Sequence, residues 1–502
     1  MRTNSHSIDG LPSYLIGLTL LATGLVATLV TDTLPLFLAV VMLAALTLMS
    51  YKYQDLFLIL LINMSIIFSL DVSVSPGNLP RIGPTRFVMA AFLLAVILRA
   101  LTKRIRITRH DLPFLSLISL YLMSGVISSL FSTDILVSFY AVLGRDLIEQ
   151  FVLFYMLIYY LKQHGFEYRL KNALYVTMLI VSIFSFFEEI AQYNPFLQFY
   201  PDAELNFRAG MLRVRSTFFH PIALGCFLNL LMPVLLVDTI RENSYRRKTF
   251  LIMTFAAGLI ASFFTLSRAP FLILGLEILL VAGWWAKESI NRAILLITFV
   301  SAVSVGTVLL FYNYDPLNRA LATYVNPNQT TLHQLDEDSS EFYRIILIES
   351  VLQKLSGPRW IYGYGPNAFH LSEVNAEFSS HTRILEAPDN NYLRLLLEYG
   401  IMGTLFFGLL LLSALKMCFS AIKSSDDKDK LHAAALLASA SGFIIVNFSA
   451  SMFNIYPLGL LFWLVIALAT SSLQKSRQKL LASPPQHRDE LYATRLKVRK
   501  SN

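Results

Sequence analysis

Charge is scarce in this chain. Lys, Arg, Asp and Glu make up 15% of its 502 residues, against about 25% in an ordinary soluble domain. Hydrophobic residues reach 55%, and the mean hydropathy is +0.57. Too few charges remain to cover the surface of a water-soluble globule. A soluble enzyme, a disordered chain and a nucleic-acid-binding domain are excluded together, and no nucleic acid is expected as a partner. Cysteine is nearly absent. Cys226 and Cys418 both lie inside apolar runs, where neither a disulfide framework nor a zinc site is built. His220, His333, His370 and His381 show no HxxxH or HExxH spacing, so no metal is expected. No GxxxxGK[ST] loop occurs, so no ATP-driven step and no other cofactor is expected. A cleavable leader is not expected either. Arg2 is the only basic residue before the first apolar run, and no small-residue cleavage site follows it.

What is present is a series of apolar runs. A helix crossing the hydrocarbon core needs about 20 apolar residues. Windows of that length give about fourteen candidates. They begin near Ser13, Leu34, Leu56, Phe87, Phe114, Leu147, Ala173, Ile222, Thr249, Ala269, Ala293, Ile401, Leu431 and Met452, the third and sixth being short. The expected fold is an all-α polytopic membrane protein of about 14 transmembrane helices with a large helical non-cytoplasmic loop. The expected division is transmembrane helices over 1–190, an arginine-bearing outer loop over 191–221, transmembrane helices over 222–312, a cap loop over 313–399, transmembrane helices over 400–473 and a basic tail over 474–502. No internal repeat supports an inverted-repeat transporter.

Lys and Arg give the expected orientation. Groups within 103–109, 162–171, 241–248 and 416–430 fall on one alternating set of connections. The positive-inside bias assigns that set, with both termini, to the cytoplasm. Topology and contact with anionic lipids at the cytoplasmic face account for the net charge of +8.

The arginines on the other side disobey that bias. Arg208, Arg213 and Arg215 precede Ser216-Thr217-Phe218-Phe219-His220-Pro221, Arg268 sits in a tight connection, and Arg344 falls in a helical period over 341–355. An arginine near hydrocarbon is costly unless paired or hydrated. Its planar fork of donors matches phosphate oxygens two at a time. Several forks meeting at the outer surface would suit a lipid-linked diphosphate. Structural pairing is the alternative, with Asp202 and Glu204 near Arg208 and with Glu341 and Glu349 near Arg344; no acid lies close to Arg268 in the chain. Asp389, after Pro388, opens a helix carrying Tyr392, Leu395 and Leu396 on one face as far as Gly400. Its carboxylate could take a proton from a hydroxyl or simply cap the helix. His220 is a second candidate base, with a structural role at the helix start as its alternative. Few ionisable residues fall inside the predicted spans. Glu188, Glu189 and Asp238 lie near their ends and Glu277 near a centre, which weakens a transporter reading.

These elements in order form a pattern: Arg213-x-Arg215-Ser216-Thr217-Phe218-x-His220-Pro221, Ser267-Arg268-Ala269, Gly363-x-Gly365, then Asp389-Asn390-x-Tyr392-Leu393 with Glu398-x-Gly400 and Gly403. The pattern resembles the O-antigen ligase/polymerase superfamily over roughly 205–403. The resemblance implies a metal-independent glycosyltransferase of the bacterial cytoplasmic membrane, using an undecaprenyl-diphosphate-linked glycan donor and a glycan acceptor on the outer face. Asp389, Arg268 and Arg215 would carry the reaction. Arg213, Arg344, His220, Asn390 and Tyr392 would bind substrate. A chain-length regulator or a flippase would be a fitting partner. Ligases of the family usually have His where Asp389 stands, so this chain looks more like the polysaccharide polymerase branch. A ligase or protein O-oligosaccharyltransferase remains the alternative within the family, and a transporter the alternative outside it.

Overall fold

The structure is a computed structural model that describes residues 34–68, 83–102, 112–199, 205–208, 211–286, 348–367, 375–377, 382–384, 390–425 and 427–482, with positions 290, 291, 294 and 298 besides. The predicted runs near Ser13 and, for the most part, Ala293 lie outside these residues. Each of the others coincides with a helix. Among the described residues, eight helices are long and apolar enough to cross a membrane, and three shorter apolar ones accompany them.

Two compact units divide the chain, Met1–Arg106 and Ile107–Asn502. In the first, α1 (Leu34–Lys52), α2 (Gln54–Ile67) and α3 (Pro84–Thr102) pack together. Arg99 donates to the buried Gln54 Oε1 at 2.8 Å, which satisfies a charge at the helix end.

The second unit begins with α4 (Leu115–Leu130) and α5 (Ile135–Tyr140). The latter continues without a break into a π-helical stretch, Ala141–Val152, and α6 (Leu153–Leu161). The sixth predicted run, placed near Leu147, therefore starts too late. Arg145 and Asp146 shorten its apolar window, yet the helix holds because these charges are paired inside the bundle. Then come α7 (Phe166–Ala191), α8 (Pro221–Arg241), α9 (Tyr245–Phe264), α10 (Arg268–Ala286), the single turn α11 (Arg359–Tyr362), α12 (Asn391–Ser424), α13 (Asp427–Val446) and α14 (Leu458–Ala482). Two small antiparallel ladders are the described strands, Phe207–Arg208 with Met211–Leu212 and Asn375–Glu377 with Thr382–Ile384.

Helices α8, α10 and α13 pack against one another, α8 being the most deeply buried of the three. Pro221 opens α8, where its missing N–H costs nothing. Gly225 lets Pro270 approach closely, and Asn229 Nδ2 donates to the Pro270 carbonyl at 2.9 Å. These contacts hold the start of α8 beside the start of α10. At the other end, His432 of α13 lies 3.7 Å from Asp238 of α8. Helix α13 thus runs from that end to the first, where the Asn391 N–H donates to the Asn447 carbonyl at 3.0 Å. The starts of α8, α10 and α12 consequently share one end of the bundle.

Helix α12 bends at Gly400, whose φ of 64° and ψ of −169° are not helical. The bend admits another segment of backbone. Tyr364 and Gly365 donate their N–H groups to the carbonyls of Leu397 and Glu398, each at 2.9 Å. A Cβ on Gly400 would run into the Ile361 carbonyl, and one on Gly363 into that of Glu398. Gly363 and Gly400 both adopt positive φ, which glycine alone adopts cheaply. Gly400→Ala is expected to lose most folded protein, with early elution and a lowered unfolding temperature in detergent. An unfolding temperature equal to wild type would show that the bend is not required.

Candidate active site

The loop before α8 is tied down by Glu188 of α7. One oxygen of this buried carboxylate, Oε2, accepts the N–H groups of Arg215 (3.0 Å) and Ser216 (2.6 Å). Ser216 sits at φ 54°, a left-handed conformation that costs a non-glycine residue energy. It is held there from three further directions. Its hydroxyl donates to the Val181 carbonyl at 2.8 Å, its carbonyl accepts from Asn194 at 2.8 Å, and the chain around it is buried. Glu188→Ala should leave two buried donors without their acceptor, at a cost of about 1–3 kcal/mol. Glu188→Gln retains an oxygen acceptor and should lose less. Thermal unfolding in detergent compares the two, and equal losses would contradict this role.

From this fixed backbone Arg213 reaches the connection between α9 and α10. Its guanidinium donates to the Thr265 carbonyl at 3.4 Å and to Ser267 Oγ at 3.3 Å. The Val214 N–H bonds the Phe264 carbonyl at 3.2 Å beside it. Leu266, in the same connection, has φ 47°, so the turn is tight and strained. The next residue after Ser267 is Arg268, the first of α10. It is half-buried, and among the described residues no hydrogen bond or ion pair engages its guanidinium. Arg215 is 5% exposed, and its Nη1 donates to the Phe219 carbonyl at 3.1 Å. Arg213, Arg215 and Arg268 are thus gathered on adjoining segments at one end of the bundle.

His220 caps α8. Its Nδ1 accepts the Ile222 N–H at 3.1 Å. Burial, with Arg213 and Arg215 nearby, pushes its pKa down to about 4. The ring is therefore neutral at neutral pH, and with Nδ1 occupied the proton resides on Nε2. His220 offers a donor to an anion there, not a free basic nitrogen, so the second-base role considered for it does not fit its geometry.

The α12 element separates the roles of its first residues. Asn390, not Asp389, is the N-cap; its Oδ1 accepts from Tyr392 N (2.9 Å) and Leu393 N (3.2 Å). Tyr392 anchors α12 to α13. Its hydroxyl donates to the Ile444 carbonyl at 2.8 Å and its ring lies 4.4 Å from that of Phe448. Asp389, Arg344, His333, His370 and His381 lie outside the described residues.

Beneath Asn390 is a charge network that the sequence reading missed. Arg394 pairs with Glu398 one turn on and donates to Asn391 Oδ1 at 3.2 Å. Arg145 of the π stretch is 3.7 Å from Glu398 and 2.9 Å from Asp146. Tyr399 donates to Asp146, as does Tyr121 at 3.3 Å. Asp146, Arg394, Glu398 and both tyrosines are buried. Glu277 is therefore joined by Arg145, Asp146 and Glu149 as ionisable residues well inside a continuous helical segment. Arg145, Asp146 and Glu149 interrupt an apolar stretch over 135–161, and that interruption was the readable signal. Glu398 and Tyr399, which meet Arg145 and Asp146, stand more than 250 residues away, which no local pattern shows.

The helices define an all-α polytopic membrane protein, with Arg213, Arg215 and Arg268 on adjoining segments at one end of its bundle. Residues 253–408 match the family model described as O-antigen ligase, from within α9 to within α12. Over these residues the chain is similar to that family. The match contains Ser267-Arg268-Ala269 and the Asn390–Gly403 element, and it begins after Arg213 and Arg215. No curated protein matches the chain.

Proposed function

We propose that the protein is a membrane glycosyltransferase that polymerises undecaprenyl-diphosphate-linked oligosaccharide units of an O-antigen, capsule or exopolysaccharide, on the outer face of the cytoplasmic membrane. The observation that carries this reading is the reach of Arg213 onto Thr265 and Ser267, which brings the 213–220 segment to Arg268. Forks of guanidinium donors at a membrane surface suit a lipid diphosphate.

In the reaction an acceptor hydroxyl attacks the anomeric carbon of the donor. The new C–O bond forms as the bond to the diphosphate breaks, and the electron pair leaves with the diphosphate. That group is a stable anion at neutral pH, so it needs no protonation and no metal. Arg268 and Arg213 stabilise the charge gathering on it, and Nε2–H of His220 adds a neutral donor. The hydroxyl proton passes to the Asp389 carboxylate. Capping by Asn390 supports this role, because the helix start does not depend on Asp389 for a cap. One displacement inverts the anomeric centre, and the activated donor supplies the driving force.

The description of the matched family, O-antigen ligase, favours a second reading in which a finished chain is transferred to lipid A core or to a protein hydroxyl. Aspartate at 389, where ligases of the family usually carry histidine, favours the polymerase. Purified protein in detergent, given only lipid-diphosphate-linked repeat units, should yield a ladder of longer lipid-linked chains, undiminished by EDTA. Release of diphosphate lipid only after a core or protein acceptor is added would identify a ligase. No covalent product with any acceptor would leave a transporter.

A further inference from the structure

The end of the bundle opposite the arginine site holds a cavity of about 600 Å³ among the ends of α6, α7, α8, α9 and α14. Five cationic side chains line it, Lys162, Lys171, Arg241, Arg247 and Lys475. Three carboxylates do so as well, and each is already engaged. Asp238 accepts from Lys171 (2.8 Å) and from Tyr175 (2.7 Å). Glu167 accepts from Lys475 at 2.6 Å, and Glu242 pairs with Arg247 at 3.1 Å. By count the lining carries five cations against three carboxylates, a net positive charge.

Two of these cations are fixed by neighbours. The Arg247 guanidinium lies 4.2 Å from the centre of the Tyr168 ring and donates to Asn172 at 3.0 Å. Lys171 is fixed between two carboxylates. The start of α7 borders the same cavity at Gly165 and Glu167. Gly165 offers no side chain to cap that helix, so the positive end of a 26-residue helix faces the cationic lining. A built, net-positive hollow at helix ends is suited to a phosphate group.

We propose that this cavity binds a phosphate-bearing anion, either the phosphodiester of an anionic glycerophospholipid or free phosphate. Such a ligand would join α7, α8, α9 and α14 at the end that the sequence assigns to the cytoplasm. The chemistry at the opposite end plays no part in it.

The test uses the full chain purified in a neutral detergent, with binding followed by native mass spectrometry and thermal unfolding. The probes are dioleoylphosphatidylglycerol, dioleoylphosphatidylcholine and inorganic phosphate. Phosphatidylglycerol binding in preference to phosphatidylcholine identifies a lipid headgroup site, and stabilisation by inorganic phosphate alone identifies a free-anion site. The double variant Lys162→Gln/Arg241→Gln should weaken the favoured probe by at least about tenfold. Lys416→Gln removes an exposed cation outside the lining and should change nothing. Should the double variant not fold, Lys475→Gln is expected to give a smaller loss in the same direction. The proposal is overturned if phosphatidylcholine binds as well as phosphatidylglycerol and phosphate has no effect. A cavity variant that behaves like Lys416→Gln overturns it too.

Discussion

Arg268→Ala is expected to lower glycan transfer by about 10²–10³-fold while leaving a folded protein in the membrane. The residue opens α10 and is half-buried, and among the described residues its guanidinium has no partner. Truncating it removes no ion pair there, so little stability should be lost. In the proposed reaction what is lost is a fork of donors for the charge gathering on the diphosphate. Arg268→Lys keeps the charge but not the paired geometry, and it should recover only a small part of the activity. Assay of lipid-linked product beside the unfolding temperature distinguishes the two losses. A wild-type product ladder from Arg268→Ala would remove the site assignment. A collapsed unfolding temperature would show instead that the residue serves the fold.

The second large effect concerns Glu398. Its carboxylate is 2% exposed and faces both Arg394 and Arg145. Glu398→Ala leaves two guanidinium groups in the bundle with one carboxylate, Asp146, between them. Breaking a buried pair in this way costs about 3–5 kcal/mol, a large share of the roughly 5–15 kcal/mol by which a domain is stable. Low yield and a much reduced unfolding temperature in detergent should follow. The double change Arg394→Met/Glu398→Met removes that pair together, leaves Arg145 with Asp146, and should be milder than Glu398→Ala. If Glu398→Ala proved as stable as wild type, the network would not be holding the bend of α12.

Much of the fold was legible because hydrocarbon imposes a length and a composition on each span. The starts of α8 and α10 fell within a residue of the apolar runs, at Pro221 and Arg268. Reading failed where tertiary pairing overrides composition. Arg145 and Asp146 look like a helix boundary until Glu398 and Tyr399 are brought beside them. The glycines of Gly363-x-Gly365 and Glu398-x-Gly400 were recognisable as a pattern, but only the close backbone approach explains them. At the site, the choice between Asp389 and Asn390 as cap turned on a one-residue difference in helix start, which sequence patterns do not resolve. Arg213 reaches the connection that carries Arg268, while Arg344, expected beside them, lies outside the described residues. The anchoring of Arg215 by Glu188 was not anticipated, because that carboxylate lay unremarkable near the end of a predicted span.

Helices α8, α10 and α12 all start at the end where the arginines gather. Part of the attraction for anions there is consequently written into peptide units, which no side-chain exchange erases. Variants stripped of Arg213 or Arg268 should still retain a residual hold on a diphosphate lipid, visible as weakened capture with turnover gone. An inactive variant of this kind could therefore keep its donor seated long enough to be observed.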